Sequence, residues 1–170
     1  MRALVAALVF AACAPRRPSG ELPVSATAHL RVREAAVADQ AAPRTVRILL
    51  ESQAPGSIVV DCPQNLLVLA RSSSPPAAGA LVNPSAGAEG RASCSASGAG
   101  SRKVGPTTYA MSGASVLSLD LFLPSGLADT PERYQLSFDI PVAAGGGPWT
   151  RERVVFEVFL GRPAPAGDAP

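Results

Sequence analysis

Apolar and polar residues alternate with a period of two along most of this chain, and no stretch carries the three-to-four-residue spacing of an amphipathic helix, which restricts the fold to sheets. The clearest run is Leu117, Leu119, Leu121 and Leu123, interleaved with Ser118, Asp120 and Phe122 and stopped by Pro124-Ser125-Gly126. Tyr134, Leu136, Phe138, Ile140 and Val142 then alternate with Arg133, Gln135, Ser137, Asp139 and Pro141. Gly145-Gly146-Gly147-Pro148 turns the chain into a last strand with Val154, Phe156, Val158 and Leu160 opposite Arg153, Glu157 and Phe159. Nearer the start, Val24, Ala26, Ala28, Leu30 and Val32 alternate with Ser25, Thr27, His29, Arg31 and Arg33, and predict a first strand. Val46, Ile48 and Leu50 predict a second, which Ala54-Pro55-Gly56 turns into a third over residues 58–61. Leu66 to Ala70 is an unbroken apolar run, the pattern of a strand buried on both faces or crossing between two sheets.

Between Ser72 and Ser101 the chain is rich in Ser, Ala, Gly and Pro, with Pro75-Pro76 and Asn83-Pro84 as breakers, and reads as a long flexible loop carrying one short strand around Ala92 to Ser97. The Pro/Ala-rich tail, residues 162–170, reads as disordered. Seven or eight short strands with turns between them predict an all-β domain over 23–161, a two-sheet antiparallel sandwich of immunoglobulin-like topology, with a small closed barrel as the alternative. Arginine and glutamate on the outward strand faces rule out the lipid-facing band of a membrane barrel.

The N-terminus carries a different message. Met1-Arg2, an apolar run from Ala3 to Ala12 and the polar breaker Pro15-Arg16-Arg17-Pro18-Ser19-Gly20 have the layout of a secretory signal peptide, residues 1–12. About ten apolar residues are too few to span a bilayer as a helix. The chain is therefore expected to be exported, with 13–22 as a tether. Its formal charge of +2 provides no basic field for nucleic acid, and none is expected as a partner.

The residues Phe10-Ala11-Ala12-Cys13 resemble the lipobox of bacterial lipoproteins, in which small residues precede a cysteine whose thiol takes a diacylglycerol and becomes the mature N-terminus. Phe10 stands where leucine is usual. An ordinary cut after Ala14 is the alternative, and it would put Pro15 just past the scissile bond, which signal peptidases handle badly. The resemblance implies lipidation at Cys13, with the membrane as a partner through that anchor. Ala14, in place of the aspartate that retains many lipoproteins in the inner membrane, points to the outer membrane by the same resemblance. There are three cysteines, and an odd count in an exported chain leaves one thiol to be explained. With Cys13 lipidated, Cys62 and Cys94 are left to pair as a disulfide in an oxidising periplasm or at the cell surface.

No catalytic, metal or cofactor signature is legible. His29, the one histidine, falls on the polar face of the first strand with no ligand partner spaced near it, and reads as a solvated surface residue. Gly113-Ala114-Ser115-Val116-Leu117 lacks the second glycine of a nucleophile elbow. Asp120, Asp139 and Glu157 lie on polar faces of three strands, and a solvated sheet face accounts for them better than paired catalytic carboxylates. Asp129 and Glu132 are too few acids for calcium. Trp149, beside the glycine turn, is a candidate contact for a carbohydrate or partner, as is Tyr109, although packing against a sheet edge is the commoner fate of such a residue.

The expectation is thus an exported, lipid-anchored, non-catalytic structural or interaction module of the bacterial cell envelope, with an envelope protein as partner. The run from Leu117 to Pro124, the spacer to Tyr134 and the closing Val154 to Leu160 resemble the final strands of secreted pilin-like and spore-coat-like sandwich proteins. That resemblance implies a subunit assembling by strand addition as the alternative, beside a carbohydrate- or small-ligand-binding module.

Overall fold

The computed structural model describes residues 21–39, 44–73, 86–124, 127 and 132–160. The signal peptide, Cys13, most of the tether, Asp129 and the tail lie outside the described residues. The rest forms ten strands and no helix among the described residues: β1 (Leu30–Asp39), β2 (Thr45–Ser52), β3 (Ile58–Asp61), β4 (Asn65–Ser72), β5 (Ala86–Ser97), β6 (Arg102–Lys103), β7 (Thr108–Met111), β8 (Val116–Phe122), β9 (Glu132–Ala144) and β10 (Thr150–Leu160). All belong to one sheet in the order β1-β2-β8-β5-β4-β9-β3-β7-β6, with β10 paired to β9, where two separate sheets were expected.

The sheet divides at β9, and two prolines mark the place. β10 runs along one edge of β9, while β4 and β3 share the other, β4 against Tyr134 to Ser137 and β3 against Val142 to Ala144. Pro141, which has no N–H to give, falls in the gap between these two ladders, where none is needed. Pro63 sits between β3 and β4 at the same break. Past it the chain leaves one branch (β3-β7-β6) for the other (β4-β5-β8-β2-β1), and the larger branch curls until β1 lies against β10. Gly145 and Gly146 have φ of 55° and 74°, the two positive values that a tight right-twisting hairpin between β9 and β10 demands.

The alternation read in the sequence becomes the core. Val46, Ile48 and Leu50 of β2, Leu117, Leu119 and Leu121 of β8, Leu136, Phe138 and Ile140 of β9, and Val154, Phe156 and Val158 of β10 all face one buried cluster. Phe138 and Phe156 meet edge to face, with ring centroids 6.2 Å apart.

Three sequence readings change. Leu66 to Ala70 is not buried on both faces: Leu66, Val68 and Ala70 point inward, while Leu67 is 63 % exposed. The first strand begins at Leu30, not Val24, because Ser25 donates through its Oγ to the Thr27 carbonyl (2.7 Å) and accepts from the Thr27 N–H (3.2 Å), a local bend that competes with extension. The short strand expected around Ala92 to Ser97 within the loop over 72–101 is the second half of β5, a twelve-residue strand seated between β4 and β8. Its inward residues Ala88, Ala92, Cys94 and Ala96 pack on the core.

Small residues are what this position requires. A Cβ on Gly90 would stand 3.1 Å from Leu121 Cδ1, 3.2 Å from the Phe122 carbonyl oxygen and 3.3 Å from Val68 Cγ2, so the neighbours fill the space that a larger β5 residue would take. Gly90→Val is expected to destabilise by about 1 to 3 kcal/mol through overpacking. Urea unfolding measures this, and a loss near zero would mean that β5 is not clamped as described.

Candidate functional site

Chemistry concentrates where the curled sheet meets itself, between β1 and β10. Arg151 donates its N–H to the Pro23 carbonyl (2.7 Å) and accepts from the Ser25 N–H (2.8 Å), a parallel bridge that lays Val24 beside β10. Backbone groups alternate sides along a strand, so those of Arg153, Val155, Glu157 and Phe159 face the same edge. Among the described residues no ladder joins them to β1. The result is a parallel seam closed by side chains and open to backbone pairing.

One carboxylate closes its upper end. Glu152, 5 % exposed, accepts from the backbone N–H of His29 (2.8 Å) and of Leu30 (3.0 Å), and its Oε1 also contacts His29 Nδ1. His29 is therefore not the solvated surface histidine expected; it is mostly buried against an acid 123 residues away, a partner that no local spacing could reveal. A buried carboxylate is tolerated only when its lone pairs are taken up, and three donors do so here.

Beside this clasp, Leu22 packs with Trp149 and Ala143 in a second small apolar cluster. Trp149 is only 4 % exposed, and Tyr109, also buried, donates its hydroxyl to the Cys94 carbonyl (2.6 Å). Both aromatics proposed as ligand contacts act in packing. Residues 21 and 22, assigned to the tether, belong to the folded body.

Asp120, Asp139 and Glu51 are each engaged by an arginine. Arg47 grips Asp120 with Nε at 2.7 Å and Nη2 at 3.1 Å, and Arg153 holds Asp139 the same way at 2.8 and 3.1 Å. These hydrogen bonds raise both guanidinium pKa values above the ordinary arginine value. β9 and β10 are neighbours but β8 is not, so Asp120 stands apart from Asp139 and Glu157. Arg31 donates to Glu51 at 2.6 Å, and this hydrogen bond, then the charge, holds the Glu51 carboxyl below the usual carboxylate range. A carboxyl depressed in the folded state stabilises above its unfolded pKa, and that stabilisation is lost as pH falls through the folded value. Arg31→Ala is expected to move the Glu51 midpoint upward in an NMR pH titration; an unmoved midpoint would mean that the pair is not formed in solution.

Cys62 and Cys94 form a disulfide that ties the break between β3 and β4 to β5. Among the described residues no group of three His, Cys, Asp or Glu is placed to hold a metal ion.

Neither protein-family models nor curated proteins match this chain. Among solved structures it is similar to the CooA pilin subunit of enterotoxigenic Escherichia coli. That likeness has 10 % identity and covers 75 % of this chain and 88 % of the pilin. Its TM-score is 0.28, too slight to carry an argument.

Proposed function

We propose that this chain is an exported interaction module of the bacterial cell envelope, a non-catalytic β-sandwich held at the outer membrane through a lipid on Cys13. The observation that carries the reading is the Cys62–Cys94 disulfide, since such bonds persist outside the reducing cytosol, and it agrees with the signal-like N-terminus. The arginine–carboxylate pairs spread over the outer face support a recognition surface more than a reacting centre, because the acids in them are already held by bases. Intact mass of the mature protein from its host, together with membrane fractionation, tests it. A diacylglycerol on Cys13, two hydrogens gained on reduction and recovery with the outer membrane are expected. An unlipidated start beyond Cys13 would overturn the anchor.

The seam, where no ladder joins β10 to β1 among the described residues, favours a second reading, a secreted subunit assembling by strand addition between the two. Such a subunit would run as a ladder in unheated gels, whereas an anchored module would run as a single band.

A further inference from the structure

Arg47 and Arg153 show how this surface binds a carboxylate: Nε and Nη2, the side-on fork, each take one oxygen. Arg151 has the same fork half used. Its Nη2 reaches Glu21 Oε1 at 3.1 Å, its Nη1 stands 3.9 Å from Asp139 Oδ2, and its Nε, shut off from solvent, has no hydrogen-bond partner among the described residues. Asp139 cannot supply the missing oxygen, because both of its own are held by Arg153. A buried donor left empty beside a charged one marks a place where a second oxygen belongs.

Two clefts share the Arg151 side chain. One of about 270 Å³ is lined by Glu21, Leu22, Pro63, Leu66, Leu67 and Pro141 among others, and one of about 200 Å³ by Leu67, Leu69, Ser137, Asp139 and Arg153. Their floor is the exposed apolar shelf of β4, continued across Ser137 by the exposed Val155 of β10. Glu21, 82 % exposed in its side chain, holds the fork by a single oxygen and contributes little there.

We propose that this cleft is a binding site for an acidic peptide segment. A Glu or Asp carboxylate of the peptide displaces Glu21 from Nη2 and, once Glu21 has withdrawn, reaches the Nε beside it, while a neighbouring aliphatic side chain lies on Leu67 and Leu69. Glu21 is then an internal competitor that a better-fitting partner displaces. The inference rests on reading the domain as an interaction module but not on its anchoring, so peptide binding stands or falls separately from the mass and fractionation above.

The test is calorimetric and NMR titration of the full mature protein with acetyl-Ala-Leu-Glu-Leu-Ala-amide, whose single carboxylate is the Glu side chain, and with its Gln counterpart. The Glu peptide is expected to shift the Arg151 Nε–H resonance and the β4 amides, and to bind about tenfold tighter than the Gln peptide, as a charge-assisted pairing should. Glu21→Gln should tighten binding and Arg151→Gln abolish it. Arg151→Lys, which keeps the charge and the fold but not the fork, should lose most of it. Equal affinity for the two peptides, full affinity in Arg151→Lys, or no shift at Arg151 with either peptide would overturn the proposal.

Discussion

Glu152→Ala is expected to lower the unfolding free energy by about 2 to 6 kcal/mol, because it leaves two enclosed backbone donors without their acceptor, at about 1 to 3 kcal/mol each. The carboxylate accepts two backbone N–H groups and contacts an imidazole, so its removal takes the same partner from all three. Water reaches the site poorly, since Glu152 is almost wholly enclosed. Glu152→Gln keeps an acceptor oxygen and should cost less. His29→Ala should cost less again, because the two backbone donors remain. Denaturant unfolding ranks the three, and hydrogen exchange at Leu30 and its β1 neighbours should quicken most in the Ala variant. A loss under about 1 kcal/mol for Glu152→Ala, the level of an ordinary surface pair, would mean that the seam does not depend on this clasp.

Removing the disulfide is the second large effect. Cys62 and Cys94 are 32 residues apart, and closing a loop of that size stabilises by roughly 3 to 4 kcal/mol in the chain-entropy account. The bond also holds the branch point itself, where Pro63 separates β3 from β4 along β9. The Cys62→Ser, Cys94→Ser double variant, or reduction, should therefore lower the denaturant midpoint and loosen β3 and β7 before the β8–β5–β4 ladder. An unchanged midpoint would show that the ladder alone positions the branches.

What could be read ahead of the structure follows residue size. Strands β2, β8, β9 and β10 were legible because Ile48, Leu119, Phe138 and Phe156 put large apolar groups on alternate positions. β5 is legible only over its second half, Ala92 to Ser97, because its core-facing positions other than Cys94 are Ala and Gly, fitted to the bulk of Leu121 and Val68 on other strands. Small residues carry little hydrophobic alternation, so the first half of a central strand reads as a linker. The seam was hidden for a related reason. His29 and Glu152 are each ordinary in their own strand, and only the curl of the sheet makes them partners. The pairing of Cys62 with Cys94 could be anticipated, because cysteine chemistry needs little local context.

The parallel bridge between Val24 and Arg151 also gives the domain a direction. Chain entering at Glu21 is fastened beside the first residues of β10, and β10 then runs on to Leu160, a further nine residues that span about 30 Å. Entry and exit are at opposite poles. A group attached after Leu160 is thus carried away from the segment ahead of Glu21 by the length of the sheet.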